Sequence, residues 1–261
     1  MKEGNCGLAD FLSKFNFTPE LAGFIGTERE QFLLVKGGLD DGQYSARAQD
    51  FLSLIDDSKW TCELSACQVE SRTIPQKDLS AIKLEILENE NAGNQVAHKL
   101  GLRLVNLEVA SRNMPLNVYP DPRYLEIAKT ISRERLEAAC RVAGTHIHLG
   151  IRDINHAIRI NNLLVPYLDT FCGLGDHSGG ERLRLYRTMA ENWQPTIYES
   201  PEHLFEVAQA EGFADNPRNC WKLIKVSIHG TVELRMFGAT DNVDEILEWV
   251  SFVKSITNGV L

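Results

Sequence analysis

The stretch Phe24-Ile25-Gly26-Thr27-Glu28-Arg29-Glu30-Gln31-Phe32-Leu33-Leu34-Val35 decides how this chain is read. As a strand it has a period of two, so Phe24, Gly26, Glu28, Glu30, Phe32 and Leu34 share one face. Two carboxylates therefore sit side by side, flanked by large apolar residues. Three further segments read the same way. In Thr145–Ile151, His146 and His148 share a face opposite Ile147, Leu149 and Ile151. In Thr231–Phe237, Glu233 and Arg235 oppose Val232, Leu234 and Met236. Gln68, Glu70 and Arg72 share a face, with Glu63 just upstream. Taken singly, each pattern also fits a solvated strand face or an ordinary charge pair. Together they predict one sheet with a covered apolar side and a concave polar side, rich in Glu, His and Arg and nearly free of Lys.

Convergence of five glutamates has an electrostatic consequence. Two carboxylates about 4 Å apart repel by roughly 4 kcal/mol at an effective dielectric of about 20, so the cluster requires cations or altered protonation. Oxygen-rich ligation with some histidine favours Mg²⁺ or Mn²⁺. Mg²⁺ typically bridges carboxylates to substrate phosphates, so the cleft is expected to receive a nucleotide. No G-x-x-x-x-G-K-[ST] loop is present, and Gly173–Gly179 has the wrong spacing for G-x-G-x-x-G, so this stretch is expected to be a mobile loop. Glu181–Arg187, which follows it, reads alone as a solvated charged segment. Beside a phosphate cleft, its arginines are what a transferring phosphoryl group requires.

The rest of the 261 residues fits this reading. Composition is that of a globular chain, 43% hydrophobic and 24% charged, and a formal net charge of −9 without a basic stripe argues against nucleic-acid binding. The six cysteines form no C-x-x-C pair and are scattered, which predicts reduced thiols. Met1–Phe17 lacks a signal-peptide core and no apolar run reaches membrane-spanning length, so a cytoplasmic protein without a membrane partner is expected. Helices are predicted over 76–99, ended by Gly101, and over 124–141. Others start at Asp153, at Ser200-Pro201, and at Asn242 with Glu245 in a capping box. With no repeat or linker, the expectation is one α+β catalytic domain over residues 1–261.

The ordered motifs resemble a family. Gly26-Thr27-Glu28-Arg29-Glu30, Glu63-Leu64 with Gln68-Val69-Glu70-Ser71-Arg72-Thr73, Gly144-Thr145-His146-Ile147-His148-Leu149-Gly150 and Gly230-Thr231-Val232-Glu233-Leu234-Arg235 are similar, in order, to the glutamate–cysteine ligase type 2 (carboxylate–amine ligase) family. Arg182 and Arg187 match a pair of arginines before its last strand. The resemblance implies a glutamine-synthetase-like fold, an antiparallel sheet curved into a cup with helices on its outer face. It also implies ATP-dependent joining of a carboxylate, typically the γ-carboxylate of glutamate, to an amine. The chain departs from the pattern at Ser111–Pro115, which lacks a glycine-rich sequence, and by ending at Leu261, where many relatives continue.

Glu28, Glu30, Glu63, Glu70, His146 and Glu233 are the metal candidates, for Mg²⁺ or Mn²⁺. Arg182, Arg187 and Arg235 are the catalytic cations, and Glu28, Glu30, Arg187 and Arg235 are placed at ATP. Gln68, Arg72, Arg112 and His148 are placed at the substrates, an amino-acid carboxylate and an amine, reacting through an acyl phosphate. Homo-oligomerisation is compatible with the sequence. Two other classes stay open: a phosphotransferase of the guanidino-kinase type, and a nucleotide-binding protein without turnover.

Overall fold

A computed structural model describes residues 7–37 and 43–260. Seven strands, β1 (Ile25–Val35), β2 (Trp60–Cys62), β3 (Gln68–Arg72), β4 (Leu102–Val105), β5 (Gly144–Gly150), β6 (Ile224–Ser227) and β7 (Thr231–Gly238), form one open antiparallel sheet. Its order is β2-β3-β1-β5-β7-β6, and β4 pairs with the far half of β1, beyond the end of β3. A register irregularity between Thr145 and Ile147 bends the β5–β7 pair. Ten α-helices accompany the sheet among the described residues: α1 (Leu8–Ser13), α2 (Ala48–Ile55), α3 (Leu79–Lys99), α4 (Pro122–Thr130), α5 (Arg133–Arg141), α6 (Ile154–Leu164), α7 (Leu168–Leu174), α8 (Glu181–Met189), α9 (Pro201–Ala210) and α10 (Val243–Thr257).

The alternation within the strands separates the two faces. Ile25, Ile147, Leu149, Val232 and Leu234 point outward into the main core. There they join Ile82 and Ile86 of α3, Ile160 and Leu164 of α6, and Ile246, Val250 and Val253 of α10. Burying such side chains stabilises the fold by about 1.5–3 kcal/mol each and fixes the register, since a one-residue slip would turn every ligand residue into the core. The α+β class with helices on the outer face is as expected.

Helix starts largely follow their caps. Asp153 accepts from the His156 N–H, Ser200 from His203, and Asn242 from Asp244 and Glu245. The capping box at Asn242 is only half realised, because the Glu245 carboxylate accepts from the Thr240 hydroxyl and faces His177 instead. The first long helix begins at Leu79, capped by Asp78, not at 76. The helix expected over 124–141 is two helices. Ile131 is extended and Ser132 caps α5, where a side-chain oxygen competes successfully for the backbone N–H of Arg135.

Gly173–Gly179 is not the free loop its glycines suggested. Gly173 lies inside α7, and Asp176 accepts from the N–H groups of Ser178 and Gly180 and from the Ser178 hydroxyl. The charged segment after it is helix α8, with Arg182 buried. The described cysteines are free thiols, and Cys6 lies outside the described residues. Among the described residues no helix is long and apolar enough to cross a membrane.

Candidate active site

Strand register assembles the polar face. Glu28 lies opposite Arg72 of β3 and His146 of β5, Glu30 opposite Glu70, His148 opposite Glu233, and Lys225 of β6 beyond Glu233. The result is a row of acids and histidines running across the strands. It lines a cavity of about 240 Å³, walled by the β2–β3 connection, the α4–α5 pair and residues 217–229.

Within the row, Glu28 Oε2 lies 3.3 Å from His146 Nδ1 and 3.1 Å from His148 Nε2. Glu30 Oε1 is 3.6 Å from His146 Nε2, and its other oxygen accepts from the Gly144 N–H at 2.7 Å. Glu233 is gripped by Lys225 at 3.2 Å and Arg235 at 3.3 Å. Glu30, Glu70, Glu233 and His146 are all less than a tenth exposed.

Protonation divides the row in two. Burial raises Glu30 to about 8, with Glu63 adding repulsion. Burial and the neighbouring Glu28, Glu63 and Glu30 carboxylates push Glu70 well up, and burial raises Glu63. For Glu233, burial is outweighed by Lys225 and Arg235, which hold it down to about 2. His148 and His146 likewise overcome the burial of Glu28 and hold it well below the carboxylate range. Burial, reinforced by Arg235, lowers His146 to about 4 and keeps it neutral, whereas Glu28 and Glu233 overcome burial to raise His148. One end is therefore ionic, and the other holds protons that a cation would displace.

The donor set fits divalent metal. Three groups, Glu28 with His148 and Glu233, Glu28 with Glu70 and His146, and Glu30 with Glu63 and Glu70, each bring one ligand atom per residue within 4.8 Å of the others. His148 Nε2 is buried, lacks an aligned hydrogen bond and lies 3.1 Å from Glu28, so an ion held by Glu28 would reach this nitrogen once its proton is displaced. Carboxylates with imidazole suit Mg²⁺ or Mn²⁺.

Glu30, raised to about 8, and His148, raised above its ordinary value near 6.5, keep protons that the unfolded chain has lost, so between pH 6.5 and 8 the native state holds more protons than the unfolded chain. Their contribution falls as pH rises through that window, by up to about 2 kcal/mol for each fully retained proton over 1.5 pH units. His146, being lowered, acts only below its unfolded value near 6.5. Metal-free protein should thus melt lower at pH 8 than at pH 6.5. Mg²⁺ should raise the melting temperature more at pH 8, where fewer protons must be displaced. Equal Mg²⁺ shifts at the two pH values in calorimetry would contradict the proton-loaded cluster.

Most residues singled out from sequence meet at this cavity: Glu28, Glu30, Glu63, Glu70, Gln68, Arg72, His146, His148, Arg182, Glu233 and Arg235 all line it. Their placement differs from expectation in several ways. Arg182 is buried beneath the row and engaged by three carbonyls, those of Ala143 at 2.7 Å, Met236 at 2.9 Å and Arg235 at 3.0 Å. Its guanidinium joins β5 to β7 and adds positive charge behind Glu30, which suits a positioning residue. Gln68 donates to the Val142 carbonyl, and Arg72 to that of Ser58. Arg187 is exposed on α8 and stacks over Trp193, away from the lining, and exposed Arg112 does not line the cavity either.

Several lining residues had escaped notice: Arg123, Tyr124, Trp221, Lys225 and His229. Lys225 was detectable, since Lys225 and Ser227 share a strand face. The others stand on helix or loop, where no period marks them.

Gly144 is required by close approach. A Cβ there would lie 2.1 Å from Arg182 Nη2 and 2.7 Å from the Phe237 carbonyl oxygen. Gly144→Ala should displace Arg182, cost on the order of 3 kcal/mol of stability and visibly lower the melting temperature. An unchanged melting temperature would show the arginine to be dispensable.

The pattern of glutamate-cysteine ligase family 2 matches residues 24–176, which is more than half of the chain and includes β1, β3 and β5. The chain belongs to that family. Similar curated proteins include a glutamate–cysteine ligase of Natronomonas pharaonis, 24% identical over 91% of this chain and 70% of its own length. Another is a putative glutamate–cysteine ligase 2-2 of Mycolicibacterium vanbaalenii, 25% identical over 88% and 66%. The chain thus spans about two thirds of the length of these relatives. Among solved structures, a bifunctional glutathione synthetase from Pasteurella multocida superposes with a TM-score of 0.54 at 12% identity, covering 90% of this chain and 38% of that one. That likeness speaks to the fold alone. Membership in glutamate-cysteine ligase family 2 places the chain among carboxylate–amine ligases, enzymes that form carbon–nitrogen bonds.

Proposed function

We propose that this family member is an ATP-dependent ligase whose one catalytic unit phosphorylates a carboxylate, with glutamate as the first donor to test, and couples it to an amine. The observation that carries this is the row of carboxylates and histidines on one sheet face, with Arg235 at its ionic end. Glu28, Glu30, Glu63, Glu70, His146, His148 and Glu233 would hold divalent metal. Bound there, Mg²⁺ or Mn²⁺ would neutralise phosphate charge and align the phosphates. Arg235, 3.3 Å from Glu233 and with its Nε buried without a partner, is positioned to bind an incoming anion.

The chemistry balances in two steps. The donor carboxylate oxygen attacks the γ-phosphorus of ATP, and ADP leaves as the acyl phosphate forms. The amine nitrogen then attacks the acyl carbon, the bond from that carbon to the phosphate oxygen breaks, and phosphate departs while the nitrogen loses a proton. That proton passes to solvent water entering the cavity.

The test is phosphate release with product identification by mass spectrometry. A ligase should release phosphate only when donor and amine are both present, and yield a condensed product. A phosphorylated product without free phosphate would identify a phosphotransferase instead, and nucleotide binding without either product would remove the catalytic reading.

A further inference from the structure

One histidine ties the turn between α7 and α8 to the rest of the molecule. Gly175 closes α7, and its carbonyl accepts from the Gly238 N–H of β7 at 2.7 Å. Over residues 176–180, every hydrogen bond that leaves the turn and α8 is made by His177, among the described residues. Its backbone N–H donates to Glu108 Oε1 at 2.8 Å, and its Nδ1 lies 3.1 Å from the same oxygen. Its Nε2 lies 2.7 Å from Glu245 Oε1, in the first turn of α10. Glu108, in the segment after β4, is buried, and its other oxygen has no partner among the described residues. Its backbone carbonyl accepts from the Ala143 N–H at 3.0 Å, at the entry to β5.

Two carboxylates on the two ring nitrogens decide the state of the ring. An ionised carboxylate offers only acceptors, and a neutral imidazole carries one N–H. A neutral His177 would set a lone pair against one carboxylate, whereas the imidazolium serves both. Asp176, next in the chain, adds a third acid; Trp249 of α10, its ring centre 6.4 Å away, adds no charge. Of the cations, Arg182 interacts with Glu108 as well as with Glu30. Burial opposes the charge on His177, but Glu245 and Glu108 overcome it and raise this histidine above its ordinary value. The side chain is 44% exposed, so its proton can pass to water without unfolding. The start of α8 depends on this turn. Its N-cap, Gly180, has no side chain to offer, and the Ser178 hydroxyl accepts from the Arg182 N–H at 3.0 Å instead. Arg182 is the residue that joins the Ala143 carbonyl to those of Met236 and Arg235.

We propose that His177 is a positioning residue, an imidazolium clamp that seats the start of α8, and with it Arg182, against the sheet and lets go when it gives its proton to water. The clamp opens as pH rises through the titration of this ring and closes again as pH falls. It is independent of the ligase reading, and the measurements that test it use neither nucleotide nor metal. Turnover is not the readout, because Glu30 and His148 exchange protons over the same range. The full chain, isotope-labelled, is titrated by NMR with the His177 ring assigned through its backbone. Protection of the amides over residues 176–186 is followed by hydrogen exchange at each pH, corrected for the intrinsic effect of pH on exchange.

His177 is expected to titrate above the ordinary histidine value near 6.5. Protection should fall with the same midpoint, by about tenfold for each unit by which the titration is raised. Glu245→Gln gives the ring a partner that suits its neutral form, since the amide N–H can donate to Nε2. That variant should lower the titration by about one unit or more and flatten the protection profile. His177→Gln, with no titrating ring, should show no step. A His177 titration at or below about 6.5, a protection step whose midpoint departs from that of the ring, or a step that survives in His177→Gln would each overturn the clamp. If a variant unfolds, the agreement of the two wild-type midpoints decides.

Discussion

Glu28→Gln should leave a folded protein whose turnover is lower by at least about 100-fold and whose Mn²⁺ affinity falls in parallel. Glu28 belongs to two of the three ligand groups, and His146 and His148 approach the same oxygen, Oε2. The amide preserves size and much of the hydrogen bonding but removes the anion. It also removes a main cause of the raised pKa of His148, which should become easier to deprotonate. Titration calorimetry with Mn²⁺ and steady-state kinetics measure the two losses. Turnover within tenfold of wild type, with Mn²⁺ binding intact, would leave the row as a structural charge network.

Arg235→Lys tests the cation at the ionic end of the row. Arg235 shares a strand face with Glu233, stands 3.3 Å from it, and lies 5.5 Å from the centre of the Trp221 ring. A residue that only balanced Glu233 would accept lysine, because the charge survives and Lys225 already grips the same carboxylate. A residue that holds the transferring phosphoryl group would not, because lysine lacks the planar pair of donors. Contacts made mainly in the transition state lower kcat more than they raise KM. A kcat loss on the order of 100-fold with near-normal ATP affinity and melting temperature is therefore expected. Unchanged kcat together with lower stability would return Arg235 to a purely structural part.

The strand faces were legible in the sequence because a period of two survives wherever one side must be apolar. Glu28 with Glu30, His146 with His148, and Glu233 with Arg235 could be paired without knowing their neighbours. Which strands lie side by side could not be derived that way, since register between distant segments depends on packing against α3, α6 and α10. The arginines show where local pattern ends. Arg182 and Arg187 stand five residues apart on one helix and read alike, yet one is engaged by carbonyls from three distant positions and the other stacks on Trp193 at the surface. Gly173–Gly179 misled for a related reason: glycines suggest freedom, but Asp176 fastens that turn with three hydrogen bonds.

The row of acids crosses the sheet at right angles to its strands, drawing on residues between Glu28 and Glu233, so no contiguous segment of chain contains a ligand group. The pairing of β1 with β5 joins positions more than a hundred residues apart, and such contacts close late because the intervening loop must first be ordered. Under the metal binding proposed above, ion capture would act as a proofreading signal for assembly: a chain with β5 or β7 misregistered by one residue would present isoleucine, valine or leucine where histidine and glutamate belong, and would not acquire metal however compact it had become.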